Sequence, residues 1–102
     1  LLRRLNRDLA GSFDLEAFAY RASWKPEHSH IEMALVSQRA QEVELAGQVW
    51  VFEAGEALIT ETSAKYSPAA FLELAGSAGW RGAKRWSDPA GDLSLHLLVQ
   101  AD

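Results

Sequence analysis

The residues best suited to chemistry in this chain are a carboxylate and a hydroxyl two positions apart, Glu61 and Ser63. On a β-strand, side chains with this spacing project to the same face, about 6–7 Å apart. A carboxylate accepts hydrogen bonds from N–H groups and a hydroxyl can donate or accept, so the pair suits a small ring with two nitrogens. Such binding requires that Glu61 and Ser63 lie on an apolar face of the strand, and Ile59 is expected to lie on that same face. On a solvated edge, by contrast, Glu61 is merely exposed and Ser63 begins a turn.

The three histidines give weaker indications of a site. His28 and His30 are two positions apart, but zinc takes three or four protein ligands in most sites and no third ligand is in view. A polar turn that leads into a strand is therefore the favoured interpretation of the pair. His96 lies between Leu95 and Leu97 and should face away from both, as a solvated or hydrogen-bonded strand residue.

Composition excludes several classes of protein. The 102 residues fit a single domain, and 48% of them are hydrophobic, which is enough to fold. Ten basic against fourteen acidic residues give a formal charge of −4, which argues against a nucleic-acid partner. No apolar run approaches the roughly 20 residues of a membrane-spanning helix. The absence of cysteine excludes disulfides and thiolate sites, and it fits a reducing, cytoplasmic location.

The first two thirds of the chain read as a helix followed by strands. Leucines share one face of a helix over residues 1–9, with Gly11 expected as its C-terminal cap, and Asp14 is expected to cap a short helical turn. The helix starts without a capping residue, which is typical of a fragment. Short connections favour antiparallel pairing of four predicted strands, at 18–25, 30–39, 42–52 (either continuous or broken near Gly47) and 57–64.

The remaining residues predict one helix and two strands. Ser67 as N-cap and Pro68 at the first helical position strongly indicate the start of a helix. Gly79, in the left-handed conformation, is expected to end it. The following segments alternate as strands at 80–86 and 93–99, with a turn at 88–91 between them. The periodicities together predict an α+β fold, with flanking helices on an antiparallel sheet.

Five blocks in order resemble one known family. The chain is similar to the C-terminal third of the histidine-specific, S-adenosylmethionine-dependent methyltransferases, over essentially its whole length. The resemblance rests on the segments LLRRLNRDL at 1–9, FDLEAF at 13–18, HSHIEM at 28–33, TETSAKY at 60–66 and WSDP at 86–89.

This resemblance implies a two-part enzyme of which the chain is one portion. Residues 1–65 would be most of a substrate-binding subdomain, and residues 66–102 the last helix and β-hairpin of a doubly wound methyltransferase fold. The donor, S-adenosylmethionine, would bind upstream of Leu1, so no cofactor-binding residue is expected here. The fragment alone is expected to be inactive and to self-associate through exposed strand edges.

The resemblance also assigns three substrate-binding residues. Glu61 and Ser63 match the family positions that hold the imidazole of L-histidine, and Met33, otherwise a typical core residue, matches a position lining that pocket. Because the family's chemistry mostly positions the substrate amine, no catalytic residue and no metal ligand is expected in this chain. The implied product is Nα-methylated histidine, on the way to ergothioneine. The alternatives are a different amino-acid substrate, such as tryptophan, and an independent small-ligand-binding or interaction module without catalytic activity.

Overall fold

The computed structural model describes all 102 residues, which divide into two compact units, Leu1–Ala64 and Lys65–Asp102. Each unit combines a helix with strands, and every strand pair is antiparallel. The predicted α+β class and the antiparallel pairing are therefore confirmed. No helix in the structure has the length and apolar character needed to cross a membrane.

The first unit contains one α-helix, one 3-10 turn and five strands. Strands β1, β2 and β5 form a sheet in the order β1-β2-β5, while β3 and β4 form a separate hairpin. The predicted strand at 42–52 is thus broken near Gly47, where Ala46 and Gly47 both have positive φ. The elements are α1 (Leu2–Leu9), the 3-10 helix (Leu15–Ala17), β1 (Phe18–Lys25), β2 (His30–Ser37), β3 (Gln41–Leu45), β4 (Gln48–Phe52) and β5 (Ala57–Ala64).

Three phenylalanine rings form the centre of the core in this unit. Phe18 meets Phe13 and Phe52 edge to face, with ring centroids 5.7 and 5.4 Å apart. Leu2 of α1 and Val43 of β3 are buried in the same cluster. Because such rings bury large apolar areas in a fixed geometry, they hold α1, the hairpin and the sheet together.

The end of α1 differs from its prediction. Ala10, rather than Gly11, adopts the left-handed conformation, with φ of 50°. Glycine is needed at position 11 for a different reason, since a Cβ there would lie 2.8 Å from Asn6 Oδ1 and 3.2 Å from Leu45 Cδ1. Asp14 caps the 3-10 helix as predicted, because its carboxylate accepts a hydrogen bond from the Glu16 N–H.

The second unit is a helix packed on a β-hairpin. Helix α2 (Pro68–Ser77) begins as predicted, with the Ser67 hydroxyl accepting a hydrogen bond from the Ala70 N–H at 3.1 Å. Gly79 has φ of 82° at the turn that follows the helix. The hairpin consists of β6 (Trp80–Ser87) and β7 (Ser94–Gln100).

The two faces of the β6–β7 hairpin have different surroundings. On one face Leu72 of α2 approaches Gly82, and Phe71 packs on His96 at 4.8 Å between ring centroids. On the opposite face Leu95 and other apolar side chains are open to solvent. The apolar residues of α2 are only partly buried, since Ala75 is enclosed whereas Leu72 and Leu74 are 37% and 48% exposed.

Candidate functional site

The three-stranded sheet brings the three predicted substrate-binding residues onto one face. Strand β2 lies in the middle, and in its pairing with β5 Met33 is opposite Glu61 and Ile31 is opposite Ser63. Directly paired residues of an antiparallel sheet project to the same side. Met33, Glu61 and Ser63 therefore form one surface with Ile31, as a carboxylate and a hydroxyl beside two apolar side chains.

Strand β1 supplies the other side of this surface. The β1–β2 register places Ala22 opposite Met33 and Trp24 opposite Ile31. A row of small and aromatic side chains thus lies two strands away from Glu61 and Ser63, which is about 10 Å at the usual strand spacing. The centre of the face is apolar and its polar groups lie at one edge, an arrangement typical of small-molecule sites.

A β-bulge separates Ile59 from this surface, so the expectation that Ile59 shares a face with Glu61 is wrong. Met33 pairs with Glu61, but the next residue, Ala34, pairs with Ile59, which leaves Thr60 as the extra residue. Ile59 therefore projects with Ala34 to the opposite face and is 56% exposed. A bulge shifts the alternation of side chains by one position, and strand periodicity alone does not reveal it.

The carboxylate of Glu61 is accessible and has no cationic partner in this chain. Strand β5 is at an edge of the sheet and Glu61 is exposed. The three ion pairs of the chain all use the carboxylates of Asp8 and Asp14. Ser63 is half-buried within β5, so it does not begin a turn. Glu61 is consequently free to accept a hydrogen bond from a ligand.

A cavity of about 380 Å³ lies next to Glu61. Its lining includes neither Met33 nor Ser63, which lie on the same face of the sheet beyond it. The lining residues are Leu1, Tyr20, Leu35, Thr60 and Glu61.

Tyr20 and Thr60 are additions to the residues found from the sequence. The β1–β2 register pairs Tyr20 with Leu35, so it belongs to the same face as Met33, and its side chain is 66% exposed. Alternation within β1 places Tyr20 on one face of that strand, but only the register relates this face to Glu61. Thr60 is the extra residue of the bulge and also lines the cavity.

The histidines lie outside this site. The rings of His28, in the turn after β1, and His30, the first residue of β2, stack at 5.3 Å between centroids. No group of three or more His, Cys, Asp or Glu side chains is arranged to hold a metal ion. His96 faces away from Leu95 and Leu97 as predicted, and its Nε2 is 2.9 Å from the Ser94 hydroxyl.

Comparison with known proteins gives one family and two relatives. A family model described as histidine-specific methyltransferase, SAM-dependent, matches residues 1–100. The histidine N-alpha-methyltransferase of Mycolicibacterium smegmatis is 40% identical over an alignment of 102 positions, which covers 98% of this chain and 32% of the relative. The protein of the same name from Mycobacterium tuberculosis is 35% identical over the same shares. The chain thus spans about a third of the length of the curated relatives it matches.

Proposed function

The chain belongs to the family of histidine-specific, SAM-dependent methyltransferases, and we propose that it is the C-terminal part of an enzyme that methylates the α-amino group of L-histidine. In this proposal the chain supplies the imidazole contacts Glu61, Ser63 and Met33. The observation that carries it is their convergence on one sheet face, with the Glu61 carboxylate exposed and free of ion pairs.

The proposed contacts distinguish imidazole from other side chains by its two nitrogens. The Glu61 carboxylate accepts a hydrogen bond from one ring N–H, while the Ser63 hydroxyl donates to or accepts from the other nitrogen. Met33, directly opposite Glu61, supplies apolar contact to the ring. A bound phenylalanine or leucine would cover Glu61 without a hydrogen bond, and leaving a carboxylate unpaired and desolvated is costly.

The methyl donor, S-adenosylmethionine, is assigned to an upstream part of the complete chain. Its usual site is a glycine-rich connection from a parallel strand into a helix. The residues present do not fit such a site, because every strand pair is antiparallel and the connection from β5 to α2, at 65–67, contains no glycine. This chain's part in the reaction is therefore to bind the ring and so orient the amine.

The proposal extends to the organisation of the complete enzyme. Residues 1–65 are assigned to the substrate-binding subdomain, and residues 66–102 to the last helix and hairpin of the methyltransferase sheet. The isolated chain would then be inactive, because it would lack the donor site. A cytoplasmic location, which the absence of cysteine fits, and a place in ergothioneine biosynthesis, which the family resemblance implies, belong to the same proposal.

The test is methyl transfer by the complete natural chain, read by mass. With L-histidine and S-adenosylmethionine, the wild type should give methylated histidine, and Glu61→Ala should raise the histidine KM at least tenfold with little change in the KM of the donor. Glu42→Ala is a matched control, because Glu42 is an exposed carboxylate on the separate β3–β4 hairpin.

Each other outcome of this assay identifies which part of the proposal fails. Equal increases in both KM values would make Glu61 a structural residue. Methylation of another amino acid instead of histidine would keep the family and change the substrate. If a panel of amino acids gave no transfer at all, the independent binding module would be favoured, and histidine binding by the isolated chain without the donor would test it directly.

A further inference from the structure

Strand β5 contains an irregularity immediately before the proposed imidazole contact. The β2–β5 register shifts between Met33 and Ala34, which leaves Thr60 without a partner residue next to Glu61. Thr60 and Glu61 both line the cavity of about 380 Å³. Consecutive residues of a regular strand project to opposite faces, and the bulge interrupts this alternation between Thr60 and Glu61.

The side chain of Thr60 forms a hydrogen bond between the bulge and the neighbouring strand β2. Its Oγ1 donates a hydrogen bond of 3.1 Å to the carbonyl oxygen of Met33, the residue paired with Glu61. Thr60 is half-buried, which protects this bond in part from water. The hydrogen bond therefore connects the backbone at both Glu61 and Met33, which are two of the three proposed substrate contacts.

We propose that Thr60 is a positioning residue that holds the β-bulge and thereby aims the Glu61 carboxylate at the substrate ring. The identity of that ring rests on the proposed function. Bulges next to binding sites commonly redirect a side chain. A carboxylate that is already fixed before the substrate arrives loses less conformational freedom on binding than a mobile one, so the effect appears in substrate affinity.

The test compares three variants of the complete natural chain. Thr60→Val keeps the β-branched shape and removes the hydroxyl, whereas Thr60→Ser keeps the hydroxyl. Thr62→Val is the matched control, because Thr62 pairs with Glu32 and projects to the opposite face. We expect Thr60→Val to raise the histidine KM about three- to tenfold, the range of one neutral hydrogen bond, with the KM of the methyl donor unchanged. Thr60→Ser and Thr62→Val should remain close to the wild type.

A double-mutant cycle separates positioning from general destabilisation. If Thr60 acts through Glu61, Thr60→Val should have little further effect on the histidine KM in a Glu61→Ala background. A full additional increase in that background, or an unchanged KM in the single variant, would overturn the proposal.

A second measurement does not depend on the substrate. Hydrogen exchange of backbone amides at 59–62 in the complete chain should be faster in Thr60→Val than in Thr62→Val, because the bulge loses the hydrogen bond from Thr60 to Met33. Unchanged exchange would refute the proposal even if histidine were not the substrate. Absence of histidine methylation by the wild type, with faster exchange in Thr60→Val, would overturn the proposed function and leave the role of Thr60 in place.

Discussion

Glu61 and Ser63 offer different hydrogen-bonding chemistry to one face of the sheet. The carboxylate of Glu61 is a charged acceptor on an edge strand, and Ser63 is a neutral hydroxyl that is half-buried beside Ile31. Hydrogen bonds to charged groups contribute about 1.5–3 kcal/mol, against about 0.5–1.5 kcal/mol for neutral pairs. The two residues should therefore contribute unequally to the binding of histidine.

Ser63→Ala in the complete enzyme is expected to raise the histidine KM by about three- to tenfold, less than Glu61→Ala does. The substitution removes one neutral hydrogen bond and leaves the carboxylate in place. Steady-state kinetics with histidine as the varied substrate measure the difference. Thr62→Ala serves as the control, because Thr62 projects from the opposite face of β5. A larger effect from Ser63 than from Glu61 would contradict the proposed division of roles.

The sequence predicts only some of the residues that form the candidate site. The period of two places Glu61 and Ser63 on one face, and the structure agrees. The same period wrongly places Ile59 on the face of Glu61 and Ser63, because the bulge at Thr60 arises from pairing with β2 rather than from local sequence. Tyr20 was missed for a related reason, since its position relative to Glu61 depends on the register of two strand pairs.

At the scale of elements, periodicity and turn residues predicted the helices and strands well, but not how α1 ends. The strands at 18–25 and 57–64 have the predicted bounds, because alternation and turn residues mark both ends. Gly11 was assigned to a cap, yet it is the close approach of Asn6 that requires glycine there. The Asn6 amide bonds to both the N–H and the carbonyl of Phe13, at 2.9 and 2.8 Å. Hydrogen bonds of this kind, from a helix side chain to the loop that follows, leave no periodic pattern in the sequence.

Gly11→Ala is therefore expected to destabilise the first unit by about 1–3 kcal/mol, the usual cost of overpacking. The added Cβ would force Asn6 away from Phe13, because the amide has no room to yield while it keeps both hydrogen bonds. Urea denaturation of the complete protein should give a lower midpoint. The control is Gly76→Ala in α2, where a Cβ would meet nothing within 4 Å, and this midpoint should be unchanged or higher. An equal loss in both variants would rule out this explanation of Gly11.

At the scale of the whole molecule, one face of the β6–β7 hairpin is an exposed apolar surface. Trp86, Leu95 and Leu97 are 45%, 68% and 50% exposed on the side away from α2. The hairpin is also a two-stranded sheet, so each strand has one unpaired edge. Apolar faces of this kind mark surfaces that pack against something else. In the proposed complete enzyme the hairpin is part of the methyltransferase sheet, so helices of that fold would cover this face.

The isolated 102-residue chain is accordingly expected to self-associate, with an apparent mass that rises with concentration in light scattering. Leu95→Lys should reduce this association, because it places a charge in the middle of the apolar face. Ala69→Lys introduces the same charge at an exposed position of α2 and should leave the association intact. A chain that stays monomeric at high concentration would indicate that the hairpin is stable by itself. That result would weaken the assignment of residues 66–102 to a larger sheet and would favour an independent module.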